Sequence, residues 1–277
     1  MQRRPTPTVP DALEPYAESL RALVPSRDAL LAEAKAQSAR NANRRSKAVG
    51  TALLLVLAGW TWLADPALGY RQVEVASGGR EVLRLDDGSV IELDAGSVLR
   101  IEYRLRSRQF ELVEGEGLFS VAHLPKPFIV RSQGVAVHDI GTVFDVRSDL
   151  RGVRVAVLEG AVEVDNGHAR QQLTANQQML ASLETLGPVE TTRLAELEAW
   201  RHDLFHFDGT PLDAVVAQLR RHRAAPIRLV GAAAARHRLS GEFPTHNVEQ
   251  LIGTLPRLAP VMVRRDPQGA VEVEARR

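Results

Sequence analysis

From Tyr70 to about Leu183 the chain alternates apolar and polar side chains in short runs: RQVEVA (71–76), EVLRL (81–85), SVIEL (89–93), VLRIEY (98–103) and FELVEG (110–115). The pattern resumes in PFIVRS (127–132), VAVHDI (135–140), TVFDVRS (142–148), VRVAVLEG (153–160) and AVEVDNG (161–167). A period of two sends successive side chains to opposite faces, which half-buried strands require and helices cannot use. Glycine-containing turns punctuate the runs at Asp87-Gly88, Ala95-Gly96, Glu114-Gly115, Glu159-Gly160 and Asn166-Gly167. About ten to twelve short antiparallel strands with no intervening helix predict a sandwich, jelly roll or β-solenoid over residues 70–183.

The flanking segments follow a different period. Ala48 to Ala64 reads AVGTALLLVLAGWTWLA, 17 residues without a charge, at the short edge of what spans a bilayer core. Arg44, Arg45 and Lys47 precede it, Trp60 and Trp62 lie near its far end, and Asp65-Pro66 stops it. The charge bias predicts one transmembrane helix over 48–64 with residues 1–47 in the cytoplasm and the remainder across the membrane, a single-pass topology. A cleaved signal peptide is the alternative, but 47 residues precede the apolar run where a short basic segment is usual; a buried soluble helix is the other. Within 1–47, Leu20, Leu23 and Val24, then Leu30, Leu31 and Ala34, recur at helical spacing on either side of Pro25. So short a piece cannot bury that stripe alone. Either it meets another protein or it is an alanine-rich tail.

After a helical connector (193–204) the pattern reads strand FHFD, helix 211–223, strand PIRLV, strand RLSGEF, helix 247–259, and strands PVMVRR and AVEVEA. This predicts a βαββαβ-like α+β domain over 205–277. The expected fold class is therefore mainly β with a small α+β domain and one transmembrane helix.

Composition excludes several activities. The chain of 277 residues carries Lys+Arg 35 against Asp+Glu 34 and no cysteine, so it has no basic field for direct DNA binding and no disulfide, thiolate or zinc-ribbon chemistry. His202 and His206 stand at i, i+4 without the glutamate of H-E-x-x-H, and the second falls in strand FHFD. Ser120 with His123, and His138 with Asp139, are sequence neighbours without a G-x-S-x-G elbow, and no phosphate-binding glycine motif occurs. No cofactor, metal or small-molecule turnover is expected.

The motifs LDDGSVIEL (85–93), VEGEGLFSVA (113–122), PFIV (127–130), GTVFDV (141–146) and VAVLEGAV (155–162), in this order and spacing, resemble the FecR family of transmembrane anti-sigma regulators. FDGTPL (207–212) and LSGEF (239–243) resemble the short domain at the C-terminus of those proteins. The resemblance implies that the membrane is the inner one and the far side the periplasm, with an extracytoplasmic-function sigma factor bound on the cytoplasmic side by the Leu20, Leu23, Val24, Leu30 and Leu31 stripe. It implies, on the periplasmic side, contact with the signalling domain of a TonB-dependent receptor, in the control of iron-siderophore uptake. Residues 1–47 contain no tryptophan, unlike many relatives. Some relatives are cut at a matching Gly-Thr bond, which here would be Gly141-Thr142. A threonine hydroxyl can attack the preceding carbonyl, and glycine offers least hindrance; an ordinary turn is the other reading of that pair. A membrane-anchored periplasmic module that binds cell-wall polysaccharide, or serves assembly without a sigma partner, is the alternative function.

Overall fold

The alternating runs fold as strands, and one of them is long enough to serve two sheets. The computed structural model describes residues 26–192 and 197–276, and the chain divides into two units between Ala64 and Asp65. In the second unit β5 (Arg108–Ser120) is 13 residues long. Its first half pairs with β4 (Val98–Tyr103) and, in parallel, with β6 (Phe128–Ser132). Its second half pairs with β3 (Val90–Leu93) and β8 (Val143–Asp149). Around the first half one sheet runs in the order β1 (Gly69–Glu74), β4, β5, β6, β7 (Val135–Asp139), β10 (Ala161–Asp165), β11 (Arg170–Thr174). Around the second half the other runs β2 (Glu81–Arg84), β3, β5, β8, β9 (Gly152–Glu159), β12 (Gln177–Ala181), β13 (Glu190–Thr191). The parallel β5–β6 pair departs from the all-antiparallel expectation, because the chain crosses the sandwich edge between residues 121 and 127 before re-entering the first sheet.

The two sheets face each other across one apolar core, with corners made by strands that bend from sheet to sheet. Phe110 stacks on Phe128 at 4.5 Å, Phe119 stacks on Phe144 at 5.2 Å, and Phe119 meets Phe128 edge-on, so an aromatic row follows β5 through its bend. The bend lies at Gly115, whose φ of +100° suits glycine. A Cβ there would fall 2.3 Å from Ser97 Oγ.

The C-terminal part has strands and helices in the order expected, with added helical turns at Ala232–Ala235 and Thr245–Asn247. It consists of β14 (Leu204–Pro211), α2 (Leu212–Arg221), β15 (Ile227–Val230), α3 (Ala232–Ala235), β16 (Arg238–Pro244), α4 (Val248–Leu258), β17 (Val261–Arg265) and β18 (Val271–Ala275). β14 pairs with β16, and a three-stranded sheet runs β15-β18-β17 with β15 parallel to β18. Leu212, Val215, Val216 and Leu219 of α2 and Val248, Leu251, Ile252 and Leu255 of α4 pack with Phe205, Phe207, Val261 and Val273 in its core. Residues 65–277 form one compact unit, the β-sandwich and the C-terminal part together.

In the first unit a single helix, α1 (Arg27–Ala64), runs for 38 residues. Leu20, Leu23 and Val24 lie outside the described residues; Leu30 and Leu31 fall within α1, and Leu31 is exposed. Val49, Leu53 to Leu57, Trp60, Trp62 and Leu63 are all exposed. Among the described residues no helix is long and apolar enough to cross a membrane; the described apolar stretch begins at Val49.

The bend carries a direct test. Gly115→Ala should disrupt the sandwich outright, because a Cβ there meets both Oγ and backbone of Ser97. Gly167→Ala, at a φ of +83° in open space, should lower stability by only about 1–2 kcal/mol. Thermal unfolding of the two variants checks the contrast.

Candidate functional site

Two clusters in the second unit carry more chemistry than a fold needs. The first lies where the C-terminal part meets the sandwich. Glu116, in the second glycine-flanked position of VEGEG, is 4% exposed. Its Oε1 accepts from Arg154 Nη2 at 2.8 Å and its Oε2 accepts from Arg221 Nη2 at 2.8 Å. Arg154, on β9, also donates to Asp145 Oδ1 on β8 at 3.0 Å. Arg221, the last residue of α2 and 8% exposed, reaches Asp94 Oδ2 at 3.3 Å, and His222 Nε2 stands 3.4 Å from the same oxygen. Arg147 binds Gln218 of α2 through both terminal nitrogens at 2.8 Å once the Gln218 amide oxygen faces it. A cavity of 360 Å³ lies beside this network, lined in part by Glu116, Arg147, Arg154, Trp200 and Gln218.

The approach is close because the sequence allows it. Gly96 has a φ of +66°, and its open side faces the Arg221 backbone, where a Cβ would fall 3.2 Å from Arg221 Cβ. Gly78 N–H donates to the Arg221 carbonyl at 3.3 Å. Around the rim, Arg201 pairs with Glu92 at 2.9 Å and Arg80 with Asp203 at 2.5 Å. Leu197 and Trp200 plug the outer face of the second sheet against Leu118, Ala156 and Leu158.

Burial sets the charge states. Asp145 is fully enclosed, and desolvation, reinforced by the charge of Glu116 and only partly offset by Arg154 and Arg147, pushes its carboxyl up to about 7. Asp94 goes the other way: burial alone would raise it, but the nearby His222 imidazole and the charge of Arg221 outweigh that and hold it below its usual value.

The second cluster is a corner where the chain crosses between sheets. The link 140–142 carries it from β7 in the first sheet to β8 in the second, and Gly160 carries it back from β9 to β10. The two links lie side by side: Ile140 N–H donates to the Ala161 carbonyl at 3.2 Å, and Thr142 accepts from Val121 N–H at 3.0 Å. Gly141 has φ +86° and Gly160 φ +80°. A Cβ on Gly160 would fall 2.4 Å from the Gly141 carbonyl oxygen, and one on Gly141 would fall 2.7 Å from His123 Nδ1. The Thr142 hydroxyl, 4% exposed, donates to Asp139 Oδ1.

The sequence singled out Gly141 and Thr142, and the fold adds Asp139, His123 and Gly160 to them. It missed Glu116, Arg154 and Arg221 as a set, although Glu116 stands in a motif it had marked. A charged residue at a position where alternation calls for an inward side chain was the available signal. His202 and His206 do not meet over a common ligand; His206 Nδ1 lies 3.3 Å from Glu242 Oε1. Among the described residues no three side chains of histidine, cysteine, aspartate or glutamate are grouped to hold a metal ion.

Residues 71–163 match the family described as FecR protein. The fold is similar to two crystal structures, each of a provisionally assigned anti-sigma factor from Parabacteroides distasonis ATCC 8503. The one at 2.50 Å resolution is 24% identical with a TM-score of 0.66, covering 76% of this chain and 100% of that one. The one at 1.65 Å resolution is 25% identical with a TM-score of 0.65, covering 73% and 98%. No curated protein sequence matches the chain.

Two measurements probe the junction. Arg221→Ala leaves Asp94 and Glu116 buried with one cation fewer, which should lower stability by about 3–5 kcal/mol, read in chemical unfolding. Asp145 gives a pH dependence of definite sign. Between about pH 4 and pH 7 the unfolded chain has lost this proton and the folded chain has kept it, so stability falls as pH rises through that window, by at most ~1.4 kcal/mol per unit. Below it, Asp94 adds the opposite slope, because its depressed value makes acid destabilising. The melting temperature should therefore peak in mild acid, and Asp145→Asn should remove the decline toward neutral pH.

Proposed function

Because residues 71–163 carry a FecR domain, we propose that the chain is a transmembrane regulator that governs an extracytoplasmic-function sigma factor on one side of the inner membrane. On the other side it answers the signalling domain of a TonB-dependent receptor, in iron-siderophore uptake. The observation that carries the reading is the junction. The C-terminal part is not a separate bead on a linker but is clamped to the FecR domain through Arg221, Glu116 and Asp94. A receptor that engages the C-terminal part therefore acts on the sandwich as well, which is what a relay needs.

The membrane span is assigned to Ala48–Ala64. At 1.5 Å per residue these 17 positions of α1 reach about 26 Å, close to the thickness of a hydrocarbon core. Large apolar side chains are exposed along the stretch from Val49 to Leu63, an arrangement suited to lipid and costly in water. Arg44, Arg45 and Lys47 favour a cytoplasmic N-terminus. The sigma-factor contact is assigned to Leu20, Leu23, Val24, Leu30 and Leu31. The chain turns over no small molecule on this reading, and its one reaction is cleavage of its own Gly141-Thr142 bond.

Three outcomes follow. A reporter active only in the periplasm, fused after Arg277, should be active, whereas activity from a cytoplasmic reporter at that point would reverse the topology. Full-length protein should co-purify with a sigma factor, and Leu23→Asp or Leu30→Asp should weaken the complex, because an unpaired charge in an apolar contact costs several kcal/mol; unchanged recovery would move the contact elsewhere. Arg221→Ala in the full chain should loosen the coupling between receptor state and transcription while leaving membrane insertion intact, and a normal response to inducer would remove the junction from the relay.

A further inference from the structure

At the β7–β8 corner the Thr142 hydroxyl is buried and already directs its hydrogen at a carboxylate, Oδ1 of Asp139, at the end of β7. A threonine hydroxyl that donates to a carboxylate has its proton placed on a base and its lone pairs free. Resting on the reading of Gly141-Thr142 as a scissile bond, we propose that Asp139 is the general base that activates Thr142 Oγ1, and that Gly160 provides the space in which the Gly141 carbonyl reacts.

The atoms balance without any co-reactant other than water. Asp139 takes the hydroxyl proton as Thr142 Oγ1 bonds to the Gly141 carbonyl carbon, and the carbonyl π electrons move to oxygen, closing a five-membered ring. Collapse restores the C=O and breaks the bond to Thr142 N, which receives the proton from Asp139. Gly141 is then joined to Thr142 Oγ1 as an ester, with a free amine on Thr142. Water adds hydroxyl to the Gly141 carbonyl carbon and hydrogen to Oγ1, separating residues 1–141 from 142–277. The geometry favours the first half. Gly141, at a φ of +86° that suits glycine, has no side chain to crowd the attacked carbon, and the bare Cα of Gly160 leaves room for the Gly141 carbonyl oxygen, from which a Cβ on Gly160 would be only 2.4 Å away. It disfavours the second half, because Thr142 is 4% exposed and water reaches the ester slowly. The ester should therefore live long enough to trap.

The full-length protein, purified in detergent, is followed by intact mass with and without hydroxylamine. Wild type should yield fragments 1–141 and 142–277, with hydroxylamine accelerating cleavage and leaving a hydroxamate on Gly141. Thr142→Ala should stay whole. Asp139→Asn, with an unchanged melting temperature, should slow ester formation about a hundredfold, within the usual worth of a general base, and Asp139→Ala should recover part of the rate in added formate. Cleavage of Asp139→Asn at the wild-type rate would overturn the role of Asp139 and leave Thr142 as nucleophile; an intact wild-type chain would overturn both. Should the Asp139 variants not fold, the wild-type rate decides. With a side-chain base it levels off at high pH once that base is fully deprotonated, whereas attack driven by hydroxide alone climbs about tenfold per pH unit throughout and would refute the assignment.

Discussion

The Glu116 carboxylate ties the second unit together, since its two oxygens hold Arg154 of the sandwich and Arg221 of the C-terminal part. Buried carboxylates are costly unless each oxygen is met by a cation or donor, so this one works only while both partners are present. Its position follows from the bend one residue earlier. Gly115 turns β5 from one sheet to the other, and the next side chain emerges at the junction. A backbone feature of the sandwich thus fixes where the C-terminal part can seat.

The junction is charged where an ordinary domain seam would be apolar, and it is not fully satisfied. Asp145 Oδ2 and the Nε atoms of Arg147, Arg154 and Arg221 are buried without a hydrogen-bond partner. A network in this condition costs more to hold than an apolar one of the same volume. The apolar contact of Leu197 and Trp200 with Leu118 and Leu158 gives the seam its bulk, and the arginines give it register.

What the sequence made legible was whatever repeats locally. Period-two runs marked the strands from β1 to β10 but not β11 or β12, and the stripes on α2 and α4 sit in the core where their spacing put them. The long β5 was read only to Gly115, because glycine at that point looks like a turn and not like a bend inside one strand. The parallel β5–β6 pair was not legible, since antiparallel neighbours are the default for strands joined by short links. Nor was the pairing of Glu116 with Arg221, separated by 105 residues: charge alternation records that a residue is polar, not which distant cation will neutralise it. Gly141-Thr142 was legible as a motif, whereas Asp139 was read only beside His138, the neighbour in sequence that points the other way across the strand.

The two clusters bear on each other through topology. A break between Gly141 and Thr142 falls in a link, but the strands on either side of it are shared out between the resulting pieces. β5 and β7 would belong to the first piece, while β8 and β10, their ladder partners, would belong to the second. Glu116 would remain with the first piece and both Arg154 and Arg221 with the second. Six residue pairs of β5 with β8 and four of β7 with β10, closed over a common aromatic core, are far more than one peptide bond contributes to holding the sandwich. Cleavage at this corner would therefore release nothing by itself: it would convert a continuous chain into two interlocked pieces held by the strand ladders and by the Glu116 clamp. Covalent continuity between α1 and the C-terminal part would be lost at the corner, and a pull on that part would then be transmitted toward α1 only through non-covalent contacts that can yield.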